Sequence, residues 1–281
     1  MEKLIFLIII FTLSIECRFQ EPIIAKMPHE KEHVTFPDEI NIDAYTLHKI
    51  NTIIHDISND KTLSQNEKIA LISAKFLGTP YQGNRLEGSA TTSEILTIDF
   101  RGLDCITYLD YVIALHMSHS EKDFLYNIIK IRYINSDISF YSRRHFFTDR
   151  ANREYQIAEN VTTQLSAKTL KYVKSLNQKT KSQKYLSGIP ITSRSISYIP
   201  SAEIDHRLIS TLKSGDIIGI YTPKPGLDVS HVGFVIMTEQ GPVFRHASSS
   251  EDNQSVVDSP LIPYLLSSPG IMVLRMTPSV L

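Results

Sequence analysis

Tryptophan is missing from the 281 residues, and cysteine occurs only twice, at Cys17 and Cys105. So few cysteines exclude a small disulfide-stapled scaffold and any CxxC metal knuckle. An excess of one charge is missing as well, because 29 Lys and Arg stand against 30 Asp and Glu. Nucleic acid is therefore not the expected partner, since that role needs a concentrated basic surface. Long apolar runs are scarce. The one that stands out, Leu4 to Leu13, is broken by a single Thr and is too short to span a bilayer comfortably.

That run follows Lys3 and has the length of a signal-peptide core. The expected organisation is a signal peptide over residues 1–17, a loose leader over 18–40 and a single domain over 41–281. Glu16, directly before Cys17, argues against a lipid-modified cysteine. Export implies a periplasmic or secreted protein with no stable membrane insertion once the signal is removed. It also leaves Cys105 as a lone thiol, with no intramolecular disulfide possible. Such a thiol is either a buried small apolar residue or a reactive one.

Apolar spacing predicts helices over Asp43–Ile57, Ser64–Leu77, Lys122–Arg132 and Asn160–Leu176. Ser64 and Glu67 form a capping-box pair, and Gly78 suits the left-handed position that ends a helix. The stretch GTPYQGNRLEGS reads as a loop, and EILTIDF as a short strand. Asp104 is the expected N-cap of a helix that opens with Cys105. The state of FYSRRHFFTDR stays open. The last hundred residues turn β-rich, with strand runs SGDIIGIYT, SHVGFVIM, PVFRHAS and IMVLRM and a hairpin turn at TEQG. Helices first and antiparallel strands later indicate an α+β fold.

Cys105 at a helix N-terminus meets unpaired backbone N–H groups that favour a thiolate and can donate to an oxyanion. Asp104 opposes the first effect, so a base is still required. His231 opens an apolar strand and is the first candidate. His246 lies on the return strand at nearly the same distance from the TEQG turn, which puts both histidines at one end of a hairpin, within one or two ladder steps. One ring can then orient the other. Structural histidines, or a zinc site recruiting Cys105, His231 and His246, are the competing readings; no short-spaced ligand pair supports the metal.

The ordered set of GTPY with Leu86–Glu87, LDCIT at Leu103–Thr107, Arg143–Phe146, Gly226–Gly233, Arg245–Ser248 and Val256–Asp258 resembles a known family. It is similar to the NlpC-type, papain-like cell-wall cysteine hydrolases, in the N-acetylmuramoyl-L-alanine amidase-like branch. The likeness runs from about Ile69 to Val273. It implies a papain-like NlpC-type fold with N-terminal helices packed on a C-terminal antiparallel sheet. It makes Cys105 the nucleophile, His231 the base, His246 the orienting group and Tyr81 an oxyanion-side hydroxyl. Arg143 and His145 fall where they can line a cleft, and an Arg fork suits stem-peptide carboxylates. Asp228 either shapes the turn before His231 or touches substrate. The family's Trp-Gly-Gly after the loop tyrosine is replaced by Gln82 and Gly83, which weakens inherited substrate contacts. The implied activity is cleavage of the N-acetylmuramoyl–L-Ala amide in muropeptides through a thioester. A D-Glu–diamino acid endopeptidase and a non-catalytic wall-binding protein are the alternatives. Neither cofactor nor metal is expected, and a monomer is.

Overall fold

Asp43 accepts the Thr46 N–H at 2.8 Å and starts helix α1, Ala44–Ser58. The expected capping box is present at Ser64 and Glu67 and opens α2, Gln65–Ala74. This helix ends a turn earlier than its apolar pattern predicts, and Gly78 takes the left-handed conformation, φ +79°, just beyond it. The computed structural model describes residues 36–37, 39–151 and 156–277. The expected signal peptide and nearly all of the leader lie outside the described residues. Among those described, no helix is long and apolar enough to cross a membrane.

Strand β1, Ile40–Ile42, pairs in parallel with β2, Leu96–Ile98. Helix α3, Cys105–His116, comes next, then α4, Glu121–Arg132. Every residue of α3 from Thr107 to His116 is buried. A helix enclosed on all sides needs no polar stripe, which is why its sequence is nearly continuously apolar. The undecided segment FYSRRHFFTDR is irregular, with one 3-10 turn at Phe147–Arg150.

The predicted helix over Asn160–Leu176 is not formed. In its place stand β3 (Ala158–Asn160), a one-turn helix α5 (Thr162–Leu165) and β4 (Leu170–Leu176). Strand β4 pairs along its whole length with β5, Thr192–Pro200. The helical reading failed because the inward positions of β4 are Lys174 and Leu176. Lys174 hides its stem while its ammonium donates to the carbonyls of Thr222, Lys224 (3.0 Å) and Leu227 (2.8 Å). A lysine in a core position masks a period-two pattern.

The remaining elements are α6 (His206–Thr211), β6 (Ile217–Tyr221), β7 (Val229–Thr238), β8 (Gly241–Ala247), β9 (Val256–Pro260), α7 (Leu261–Leu266) and β10 (Gly270–Met276). The large sheet runs β4-β5-β10-β6-β7-β8-β9 with β3 beside β10, all pairs antiparallel. Its two faces are covered by different layers. Met272 and Leu274 of β10 and Phe234 of β7 face the core shared with α1–α4. Ile271, Val273 and Val235 face a second core with α6 and α7. Strands enclosed on both faces read as continuous apolar runs, as IMVLRM and GFVIM do. The result is a mixed α/β protein with helices packed on an antiparallel sheet.

Candidate active site

Asp104 caps α3 by accepting the N–H groups of Ile106 (3.0 Å) and Thr107 (2.7 Å), and the Thr107 hydroxyl sits 3.0 Å from the Asp104 N–H. Cys105 is thereby fixed as the first residue of the helix. It is half-buried and unpaired. The backbone N–H groups of Val232 and of Cys105 itself lie close enough to the sulfur to favour its ionised form. The first of these puts the thiol near the peptide that joins His231 to Val232.

The hairpin joins β7 to β8 through the expected turn, with Thr238 paired to Gly241. Continued from Phe234 opposite Arg245, this register puts His246 across from Gly233, two residues from His231. The two rings meet there, His231 Nε2 lying 2.7 Å from His246 Nδ1 with the planes 85° apart. Gly233 makes room for them. A Cβ on it would fall 2.8 Å from the His246 Cβ and 2.7 Å from the Arg245 carbonyl.

Three features of the site left no sequence signal. First, Ile220 pairs with His231 but Tyr221 pairs with Val229, so Ser230 is an extra residue. This bulge interrupts the strand's alternation immediately before His231 and re-aims the side chains beyond it. Second, Ser259 Oγ on β9 lies 3.0 Å from His246 Nε2. Third, Phe244 stacks on His246 at 4.7 Å and Tyr264 closes over it at 5.1 Å. Ser259 directly follows the Val256–Asp258 match and Tyr264 lies in a segment with no motif; only the tertiary structure brings either to His246.

The line of contacts couples the two tautomers. If His231 is to accept a proton at Nδ1, its Nε2–H donates to His246 Nδ1, and the His246 Nε2–H donates to Ser259 Oγ. Burial lowers His231 to about 4, and burial with the neighbouring His231 lowers His246 to about 3. Burial, reinforced by the Asp104 carboxylate, pushes the Cys105 thiol up to about 12; the Val232 N–H, its own N–H and Arg150 act in the opposite direction. These shifts favour a thiol and neutral imidazoles over a thiolate–imidazolium pair in the resting site.

Tyr81 belongs to the same neighbourhood. Its backbone is bridged to Leu103, two residues before the cysteine, and its N–H donates to Gln254 O at 2.8 Å. Burial, then the charges of Cys105 and Asp104, raise its phenol, while a hydrogen bond with Ser249 opposes them. Arg245 also has a clear task. It grips Asp258 across β8 and β9 at 2.6 and 2.7 Å and donates to Ala70 O of α2 at 2.9 Å, which ties the histidine strand to the helical layer.

The other three expected site residues are engaged inside the protein. Asp228 is 2% exposed, and its carboxylate accepts the Thr148 N–H and hydroxyl at 2.8 Å each and the Val229 N–H at 2.9 Å. These bonds shape the approach to His231, the turn role expected of this residue. Arg143 is bound through Nε and Nη2 to the Glu94 carboxylate and through Nη2 to the Glu87 carbonyl, so that edge of its guanidinium is engaged within the protein. His145 places Nε2 2.7 Å from Phe140 O.

An α+β scaffold that presents a thiol on the first residue of a helix and two strand histidines in mutual contact defines the class. The family emerges from comparison. Residues 71–271 match the AmiA-like model, described as N-acetylmuramoyl-L-alanine amidase-like, and the chain belongs to this family. A crystal structure of an N-acetylmuramoyl-L-alanine amidase from Bacteroides uniformis is 30% identical, with TM-score 0.65 over 76% of this chain and 99% of that one. A Legionella pneumophila protein shares the fold at 23% identity, with TM-score 0.68 over 83% of this chain and 95% of that one. No curated protein matches the chain.

Proposed function

We propose that this protein is a cysteine-dependent peptidoglycan amidase of the papain-like NlpC type, cleaving the N-acetylmuramoyl–L-Ala bond of muropeptides. The observation that carries the reading is the 2.7 Å His231–His246 contact on the strand whose Val232 N–H lies near the Cys105 thiol at the start of α3. Family membership supports the substrate, and the exported leader expected from the sequence fits a periplasmic or secreted site of action.

The reaction starts from the neutral pair. The Cys105 thiol gives its proton to His231 Nδ1 as sulfur attacks the lactyl carbonyl, so no free thiolate accumulates. His246 and Ser259 hold the His231 tautomer and share the positive charge that develops on the ring. The Cys105 N–H and the Tyr81 hydroxyl donate to the oxyanion. The C–N bond breaks, and the L-Ala nitrogen takes the proton from His231. A water then attacks the thioester with His231 again as base, releasing the muramyl carboxylate and restoring the thiol.

Purified protein is incubated with N-acetylmuramoyl-tripeptide under reducing conditions, with Cys105→Ser alongside, and the products are weighed by mass spectrometry. Release of intact tripeptide by the wild type alone is expected. A product retaining L-Ala–D-Glu on the sugar would identify the endopeptidase reaction instead. Saturable binding without product, surviving Cys105→Ala, would identify a wall-binding protein.

A further inference from the structure

The β4–β5 hairpin carries a charge asymmetry that the amidase chemistry does not use. Between Asn160 and Ala202 the sequence has six lysines and one arginine and no Asp or Glu, in a chain whose formal net charge is -1. Some of these cations are already committed: Arg194 pairs with Asp149, Lys168 with Glu203, and Lys174 with backbone carbonyls. Lys179 and Lys181 have no ion pair among the described residues, and both line a cleft of about 710 Å³.

The wall of that cleft is aromatic. Tyr198 and Tyr221 stack face to face at 3.7 Å, and Tyr172 lies over Tyr198 at 6.1 Å with the planes 24° apart. Tyr198 and Tyr221 are buried, whereas Tyr172 is 50% exposed and Val173 beside it 74% exposed. Pro223 and Pro225 also line it. The floor is rigid, because Lys174 staples the loop from Thr222 to Leu227 and Tyr221 pairs with Val229, two residues before His231.

We infer that this cleft is a second binding site, built for a carboxylate-bearing saccharide of about disaccharide size. The volume lies in the ordinary range for small ligands. A large aromatic wall with a polar rim accepts the apolar C–H face of a pyranose. Two lysines with no acid in the cleft select an anion. The stacked pair at 3.7 Å leaves no gap for a nucleobase to enter, so the chemistry favours one ring laid on Tyr172 over an intercalated strand. The chemical class rests on the cleft alone; the choice of a muramyl sugar as probe rests on the function proposed above.

The probe is the disaccharide N-acetylglucosaminyl-N-acetylmuramic acid with a free lactyl carboxylate, which has no peptide amide to be cut. Titration of the full chain by calorimetry should give saturable binding. Tyr172→Ala should weaken it about tenfold or more, and Tyr172→Phe should retain it. Lys179→Ala combined with Lys181→Ala should weaken it about tenfold and remove its salt dependence. Absence of binding, binding unchanged in Tyr172→Ala, equal binding of neutral chitobiose, or tighter binding of duplex DNA or anionic vesicles would each overturn the inference. Hydrolysis of N-acetylmuramoyl-tripeptide, measured in the same samples, reports separately on the amidase reading.

Discussion

Replacing Gly233 with alanine tests how the site is held. The added Cβ would lie 2.7 Å from the Arg245 carbonyl, 2.7 Å from Phe244 Cε2 and 2.8 Å from the His246 Cβ. One of these neighbours is backbone and another is the His246 Cβ, so neither can swing aside as a flexible side-chain tip would. The strands β7 and β8 must part by several tenths of an ångström at the end that carries the two histidines. Overpacking of this kind costs about 1–3 kcal/mol, which lowers Tm by roughly 3–10 °C in a domain of this size. The effect on catalysis should exceed the effect on stability, because the 2.7 Å contact between the histidines spans the same gap. A misplacement approaching 1 Å costs roughly a hundredfold in rate. Circular dichroism melting and muropeptide turnover measured by mass spectrometry read the two quantities. Gly241→Ala is the control. Gly241 sits at φ +116° at the far end of the same hairpin with nothing within 4 Å of an added Cβ, so the substitution strains backbone without touching the histidines. The reasoning fails if Gly233→Ala leaves kcat at the wild-type value, or if Gly241→Ala lowers it as much.

Ser259→Ala removes the 3.0 Å partner of His246 Nε2 and should lower kcat several-fold, about 1 kcal/mol, with little change in Tm; an unchanged kcat would remove serine from the relay. Asp110→Asn leaves the fully buried Arg150 and Arg132 without their counter-ion at 2.5 and 3.7 Å, and denaturant unfolding should show a loss of about 3–5 kcal/mol. His116 is buried with neither ring nitrogen hydrogen-bonded, and burial lowers it to about 4. Its folded-state value lies below the unfolded one, so the native state binds fewer protons between them. Stability from this group is complete above about pH 6.5 and is lost as pH falls toward 4. His116→Leu should flatten that part of the stability–pH curve, and an unaltered slope would refute the assignment.

The sequence by itself determined the elements that depend on local chemistry. The Ser64–Glu67 box, the Asp104 cap, the left-handed Gly78 and the TEQG turn each act within a few residues, and each was legible. So were Cys105 at a helix start and two histidines equidistant from one turn, because a hairpin converts sequence spacing directly into spatial proximity. Tertiary structure decided the rest. Lys174 became a core residue of β4 only because the Thr222–Leu227 loop supplies carbonyls for its ammonium. The bulge at Ser230 arises from the pairing of β6 with β7, and Ser259 reaches His246 only because β9 joins the sheet beside β8. Arg143 and Asp228 resemble ligand-binding residues in the sequence, yet Glu94 and Thr148 occupy them from 49 and 80 residues away. Which charged or polar groups meet substrate and which meet each other is fixed by long-range packing, since burial requires every such group to find a partner and the nearest one in space is seldom near in sequence.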